Sequence, residues 1–151
     1  TLPMAELAAL YGGYRLDWEE LQAGHGRPEL LSRERGSAMR SIFEGIVMDG
    51  GDVSSTAIIM PHDRAILEYV AEHPQAIGYL SRAYVDERVK SLTIDGVLPT
   101  PNDLKRGRYP LPYPLVMLSP KNAPVEVTRL VSFAMSSQGR NIIEQRYAAS
   151  R

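Results

Sequence analysis

The sequence predicts an α/β fold, because short segments of strand character alternate with segments of helical periodicity along the chain. Apolar runs bounded by turn residues are typical of buried strands, and apolar residues spaced three or four apart are typical of helices packed on them. The chain has 151 residues, 44% of them hydrophobic and 23% charged. A chain of this size and composition is long enough for one folded unit with a real core.

The sequence pattern of the N-terminal third predicts a helix, a strand and a second helix. Apolar residues at helical spacing predict the first helix over residues 4–11. A short strand over residues 29–33 follows a glycine-containing loop and ends on Arg33. The second helix is expected from Ser37, as its N-cap, to about Val47, since its apolar residues share one face.

The middle of the chain predicts two or three more strands around one helix. Residues 54–60 read as a strand or a loop, and residues 63–72 as an amphipathic helix that ends before Pro74. A short buried strand is expected over residues 76–80. Residues 89–95 alternate apolar and polar side chains, which predicts a half-buried strand.

The C-terminal third begins with a proline-rich loop over residues 99–103 and a short helix near Leu104. The apolar run at residues 115–118 predicts another strand. Two helices are expected to close the chain, over about residues 125–135 and 138–147. The succession of elements therefore remains that of an α/β chain.

The composition excludes several classes of function. The absence of cysteine removes disulfides and thiolate chemistry, and the longest apolar runs are too short to cross a membrane. With 17 basic and 18 acidic side chains the net charge is −1, so we expect no nucleic-acid partner. His25, His62 and His73 fit no zinc-ligand spacing, and Asp63 with Glu44 lacks a nucleophile. We therefore expect neither an enzyme nor a cofactor.

One segment, residues 32–40, carries recognisable chemistry. A strand delivers Arg33, a turn containing Gly36 follows, and Ser37 begins a helix. A helix start presents main-chain N–H groups and a partial positive charge, and arginine adds a two-pronged contact to an oxyanion. These parts make half of a phosphate or sulfate site, although the same residue types often serve only to cap a helix.

This segment, Ser32-Arg33-Glu34-Arg35-Gly36-Ser37-Ala38-Met39-Arg40, resembles the arginine–turn–Gly-Ser-Gly-Thr-Arg motif of the phosphate ABC transporter substrate-binding proteins. Further resemblances follow in the family's order along nearly the whole chain. They are the helix and approach to the site at residues 7–18, the "AIGY" strand at 76–81, the Tyr-Pro-Leu return segment at 105–111, and the start of the terminal helix pair at 133–139.

The resemblance implies a three-layer αβα lobe of the type II periplasmic binding protein-like fold, with a mixed sheet. Residues 1–151 would form the second lobe of such a protein, and the first lobe is absent from this chain. The crossover strand is expected at about residues 109–118 and the C-terminal helices at about 125–147. We therefore expect the full protein to be longer.

By the same resemblance, the ligands of the anion are Arg33, Ser37, Ala38 and Met39. Two of them depart from the motif, because Ala38 and Met39 stand where the family has glycine and threonine. Loss of the threonine hydroxyl could cost about 1.5–3 kcal/mol, or roughly ten- to a hundredfold in affinity. For Arg40 the sequence leaves open a contact to the ligand and a structural ion pair.

The function implied is that of an extracytoplasmic solute-binding component of an ABC import system, which binds phosphate or a similar oxyanion without chemistry. Its other partner would be the membrane permease, reached through the full-length protein. A periplasmic or extracytoplasmic location is expected, with or without a lipid anchor. The alternative is a ligand-free interaction or sensory domain that keeps the fold and has lost the anion site. Apolar residues of 115–118 and of the last two helices should be exposed, which predicts self-association.

Overall fold

A three-stranded parallel sheet lies at the centre of the computed structural model, which describes residues 1–21 and 24–148. Its strands are β1 (Glu29–Arg33), β2 (Ile58–Met60) and β3 (Ala76–Ile77), in the order β2-β1-β3. Arg33 pairs with Met60 at the end of β1 and β2. Because all three strands run the same way, their carboxyl ends meet at one edge of the sheet.

Among the described residues are six α-helices, the first three of which pack on the two faces of this sheet. They are α1 (Met4–Tyr11), α2 (Ala38–Val47), α3 (Asp63–Glu72), α4 (Pro101–Lys105), α5 (Val125–Met135) and α6 (Ser137–Glu144), with 3₁₀ turns at Trp18–Leu21 and Arg82–Tyr84. α2 connects β1 to β2 and α3 connects β2 to β3, as expected for parallel strands. None of the described helices is both long and apolar enough to cross a membrane.

The two faces of β1 feed two separate clusters of buried side chains. Leu30 packs with Leu10, Phe43 and other residues of α1 and α2, whereas Leu31 packs with Ile66 of α3. Successive side chains of a strand point to opposite faces, so one strand serves both layers. Helices on both faces of a sheet confirm the predicted three-layer α/β arrangement.

Tyr11 joins two strands from the middle of the larger cluster. Its buried hydroxyl donates to the carbonyls of Leu31 and Ile77, each at 3.2 Å. Its ring packs edge-on against Phe43, with ring centroids 4.7 Å apart. Burial, with a smaller contribution from Tyr79, raises the pKa of Tyr11 well above its usual value. The phenol therefore stays protonated and keeps β1 and β3 together.

The half-buried strand predicted over residues 89–95 is wrong. Only Ile94 of this segment is buried, and it forms isolated bridges to Leu2 and Val97 rather than a ladder. Asp95 follows with a φ of 47°, in a turn with Gly96. The segment bonds partly to the N-terminus of the chain, where the Leu2 N–H donates to the Thr93 carbonyl at 2.7 Å, and partly within its own turn, where the Ile94 N–H donates to the Val97 carbonyl at 3.0 Å.

The strand predicted at 115–118, within the expected crossover strand at 109–118, is not formed either. All four of its residues are exposed, and Leu118 exposes 88% of its surface. A strand needs a neighbour for its N–H and C=O groups, and no strand of the described residues lies beside this one. The three strands that do pair are parallel, so the mixed sheet is also not found among the described residues.

The remaining boundaries are close to expectation. The strand at 76–80 shortens to Ala76–Ile77, and the last helix runs over Ser137–Glu144 instead of 138–147. The helix over 125–135 is confirmed by α5, and the short helix near Leu104 by α4. Residues 22, 23 and 149–151 of the expected 1–151 lobe lie outside the described residues.

Gly78 lies directly after β3, where a side chain has no room. A Cβ there would lie 2.5 Å from Cγ2 of Ile66 and 3.3 Å from Cβ of Leu31. We expect Gly78→Ala to lower the free energy of unfolding by about 1–3 kcal/mol, measured by urea denaturation. The matched control is Gly45→Ala in α2, where a Cβ meets no atom within 4 Å and should stabilise the helix. Equal stability of the two variants would contradict this packing.

Candidate functional site

The turn between β1 and α2 has the geometry that the sequence predicts. Arg33 ends β1, and Ser37 precedes the first residue of α2, Ala38. Gly36 has a φ of 91°, a left-handed conformation that favours glycine. The Ser37 N–H closes the turn by donating to the Glu34 carbonyl at 3.1 Å. The turn therefore delivers Arg33 and the helix start to the same edge of the sheet.

The start of α2 offers hydrogen-bond donors. Ser37 occupies the N-cap position, as predicted, but within the described residues its hydroxyl makes no capping hydrogen bond. Ser37 and Met39 are half-buried and Ala38 is exposed. The first N–H groups of a helix have no partner within it and carry a partial positive charge. The structure thus brings Ser37, Ala38 and Met39 together with Arg33 around one turn.

The Arg33 guanidinium is held by four groups, which the sequence did not indicate. Its Nη1 donates to Asp63 Oδ1 at 2.9 Å, while Nε donates to the Met60 carbonyl at 3.0 Å and Nη2 to the Pro61 carbonyl at 2.8 Å. Glu34 accepts from both Nη2 and Nε, at 3.2 and 3.3 Å. The charge of Arg33 is therefore balanced within the protein, and an anion must compete with these partners.

The two carboxylates differ in how firmly they are held. Asp63 is only 14% exposed, and its second oxygen accepts from the Ser81 N–H at 3.1 Å. Glu34 is 51% exposed and belongs to the turn itself. Its own main-chain N–H and the Arg33 guanidinium lower the pKa of Glu34, which keeps it ionised. Glu34 is therefore the partner that an incoming anion could displace.

Sequence reasoning missed Asp63 as a partner of Arg33, although a signal was present. Asp63 begins α3 three residues after the end of β2, and Arg33 is the last residue of β1. Because β1 and β2 are parallel neighbours, residues at their carboxyl ends lie at the same edge. Pairing the two strands from the sequence would have placed Asp63 beside Arg33.

Of the two roles that the sequence leaves open for Arg40, a contact to the ligand or a structural ion pair, the structure shows the ion pair. Its buried guanidinium donates to Glu44 Oε1 at 2.7 Å and to the Arg33 carbonyl at 3.0 Å. It therefore lies behind the turn rather than at its surface.

Other chemistry is not gathered elsewhere in the described residues. Among residues 1–21 and 24–148, no group of three or more His, Cys, Asp or Glu side chains could hold a metal ion. His62 caps α3 by accepting from the Ala65 N–H at 3.1 Å. A cleft of about 380 Å³ is lined by Arg82, Thr100 and Arg146 among others, and neither Arg33 nor Ser37 contributes to it.

Comparison with known proteins gives relatives of one kind. No protein-family model matches the chain. The phosphate-binding protein PstS 2 of Streptococcus pneumoniae is 32% identical over 130 residues, which are 81% of this chain and 45% of that protein. The phosphate-binding protein PstS of Bacillus subtilis is 31% identical over 107 residues, 70% of this chain and 35% of that protein. The chain thus spans less than half the length of these curated relatives.

Solved structures agree. A phosphate ABC transporter substrate-binding protein from Clostridium perfringens, with bound phosphate, has a TM-score of 0.88 and 27% identity over 97% of this chain and 61% of that one. An ABC-type phosphate transport receptor from Vibrio cholerae has a TM-score of 0.75 over 95% of this chain and 61% of that one. At 22% identity, the second structure supports the fold alone.

The fold and the turn at the edge of its sheet show the class of protein: the chain is an α/β unit of the periplasmic binding protein-like fold, as predicted. Within that class, the chain is homologous to the phosphate ABC transporter substrate-binding proteins, which confirms the resemblance seen in the sequence. The curated relatives are named phosphate-binding proteins, and the solved structure from Clostridium perfringens is named an ABC transporter substrate-binding protein.

The ion pair of Arg33 with Asp63 should matter to folding as well as to the site. Both side chains are largely buried, so Asp63→Asn leaves the Arg33 guanidinium with the exposed Glu34 as its remaining charge partner. We expect a loss of about 2–4 kcal/mol in the free energy of unfolding, measured by urea denaturation. The matched control is Asp52→Asn, which breaks the exposed pair of Asp52 with Arg35 and should cost about 0–1 kcal/mol. Similar losses in both variants would argue against a structural role for the buried pair.

Proposed function

We propose that the chain is part of an extracytoplasmic solute-binding component of an ABC importer and binds phosphate or a similar oxyanion without chemistry. One observation carries the proposal: Arg33, Ser37 and the start of α2 share one turn, in a chain that superposes with a TM-score of 0.88 on a relative with bound phosphate. The proposed location is periplasmic or extracytoplasmic, either free or lipid-anchored. The ABC permease would be the protein partner.

The proposed ligands act by complementary charge and hydrogen bonding. The main-chain N–H groups of Ala38 and Met39 point along the start of α2, where the helix dipole favours an anion. Ser37 adds its hydroxyl, which caps nothing within the described residues. Arg33 supplies the positive charge, for which the anion competes with Glu34. Recognition therefore rests on the helix start, with Arg33 as a partly neutralised cation.

We further propose that residues 1–151 form the second lobe of a two-lobed protein, whose first lobe comes from outside this chain. The chain spans 45% of its pneumococcal relative, which leaves room for such a lobe. Apolar side chains of the C-terminal third are exposed, which is typical of a surface that another domain covers. They are Leu115, Val116, Met117, Leu118, Val125, Leu130, Phe133, Met135 and Ile142, here called the C-terminal apolar surface. Closure of the two lobes would bury the anion and present a docking form to the permease.

The residues of the turn also support the alternative function, a ligand-free interaction or sensory domain. Met39 brings no hydroxyl to the turn, Ala38 adds a methyl group, and Arg33 is already paired with Asp63 and Glu34. A domain that had lost its ligand and served in interaction or sensing could have this arrangement. The two functions differ in anion affinity, which can be measured.

Restoring the family motif tests the proposed function. We expect the variant A38G/M39T to bind phosphate roughly ten- to a hundredfold more tightly than the parent chain, because it regains a hydroxyl donor and a closer main-chain approach. Titration calorimetry with phosphate, and with sulfate as a control, measures this. The single variants Ala38→Gly and Met39→Thr separate the two contributions.

Each outcome of that titration has a clear reading. Heat from phosphate with the parent chain supports a working receptor with a retuned site. A silent parent and a binding A38G/M39T variant would support the ligand-free alternative. Silence from both would count against oxyanion binding by this chain.

The C-terminal apolar surface predicts self-association of the chain in the absence of a partner lobe. We expect light scattering after gel filtration to give a mass that rises above the monomer with concentration. Leu118→Lys with Leu130→Lys should restore the monomer, because lysine cannot be buried there without cost. Tyr14→Lys, at an exposed position outside this surface, is the control and should not. A clean monomer of the parent chain at high concentration would contradict the prediction.

A further inference from the structure

Apart from Tyr11, two polar side chains are buried in the described part of the chain, and both belong to the segment around Arg33. They are Ser32, which is fully buried, and Arg40, whose surface is 7% exposed. Burying a charge is costly unless partners satisfy it, so a buried arginine requires a structural or functional reason. Arg40 is not in the proposed ligand set, and its ion pair with Glu44 does not by itself explain its second contact, to the Arg33 carbonyl.

The contacts of Arg40 tie α2 to the end of β1. Nη1 donates to the main-chain carbonyl of Arg33 at 3.0 Å, while Nε donates to Glu44 Oε1 at 2.7 Å. The same oxygen of Glu44 accepts from the Val53 N–H at 3.2 Å. Glu44 thus balances the charge of Arg40. The Nη1 of Arg40 is left to donate to the peptide group that follows Arg33.

Tyr79 holds the other peptide group of Arg33. The Arg33 N–H donates to the Tyr79 hydroxyl at 3.4 Å, and that hydroxyl also pairs with Ser32 Oγ at 2.7 Å. The Tyr79 ring stacks on Phe43 of α2, with centroids 4.0 Å apart and planes 8° from parallel. Burial raises the pKa of Tyr79, so its hydroxyl stays protonated. Side chains therefore hold both the N–H and the carbonyl of Arg33.

We infer that Arg40 is a positioning residue for the anion site: by holding the Arg33 carbonyl from within α2, it fixes the guanidinium of Arg33 relative to the start of the same helix. The inference rests on the proposed function and adds a residue that touches no ligand. Arginine suits this role because its planar fork serves Glu44 and the Arg33 carbonyl at once, whereas the lysine ammonium is a single point. A site built on a strand and a helix needs such support to hold its geometry.

The experiment compares Arg40→Lys with two controls in the 151-residue chain. Arg64→Lys alters another arginine–glutamate pair four residues apart, exposed on α3. Val47→Ala removes buried volume at the far end of α2, away from Arg33, and lowers stability without touching the clamp. Two readouts are taken by ¹⁵N NMR: the Nε–Hε signal of Arg33 without ligand, and the shift of main-chain N–H signals at the start of α2 on titration with inorganic phosphate.

We expect Arg40→Lys to move the Arg33 Nε–Hε signal before any phosphate is added, and to weaken phosphate binding by about tenfold, the value of one hydrogen bond to a charged group. Val47→Ala and Arg64→Lys should leave both readouts near those of the parent. If Arg40→Lys behaves like Val47→Ala at equal loss of stability, Arg40 is merely structural and the inference is overturned.

Failure of the proposed function has a different signature. If phosphate shifts no signal of the parent chain, the anion-binding proposal fails, while the ligand-free signal of Arg33 still decides whether Arg40 positions it. Should Arg40→Lys not fold, Glu44→Gln gives the same decision, because it releases Arg40 from its carboxylate and keeps the arginine. An unchanged Arg33 signal in Glu44→Gln would then overturn the inference.

Discussion

The ion pair between Arg33 and Asp63 is the contact on which this edge of the fold depends. It joins the end of β1 to the start of α3, and through the second oxygen of Asp63 it reaches the N–H of Ser81, just beyond β3. The carboxyl ends of three parallel strands are therefore linked by one pair of side chains. Ligands of open α/β sheets bind at this edge, so the same ion pair is part of the candidate site.

If the chain binds an anion as proposed, Arg33 has two roles that place opposing demands on its charge. For stability, its guanidinium needs Asp63 and the carbonyls of Met60 and Pro61, because a largely buried cation without partners is costly. For anion binding, its charge should be available to the ligand. Glu34 affects both demands. It is half exposed and pairs with Nη2 and Nε of the guanidinium, so it adds to the stability of Arg33 and competes with an anion for it. The first turn of α2 carries no acidic residue, so in the proposed site the helix start would contribute more of the attraction than Arg33 does.

The sequence predicts well what is decided locally. Gly36 and Ser37 identify the turn and the helix start because a left-handed residue and a helix cap are properties of a few neighbouring residues. The strand at 89–95 is predicted from alternating apolar and polar side chains and the strand at 115–118 from an apolar run, but a strand is stable only where a second strand receives its hydrogen bonds. The partners of Arg33 were missed for the same reason. Asp63 is thirty residues away in the chain and is brought near only by the pairing of β1 with β2.

The departures from the family motif fall on residues that the scaffold does not use. Arg40, which is paired with Glu44, and Tyr79 hold the peptide groups of Arg33, and Tyr11 holds β1 against β3. Ala38 is exposed, and Met39 is not among the buried residues of α2. A change at these two positions can therefore alter which donors face a ligand while the backbone of the turn stays in place. For this reason the homology predicts the geometry of the site more securely than its affinity, and the effect of replacing glycine and threonine should appear in anion binding rather than in the stability of the fold.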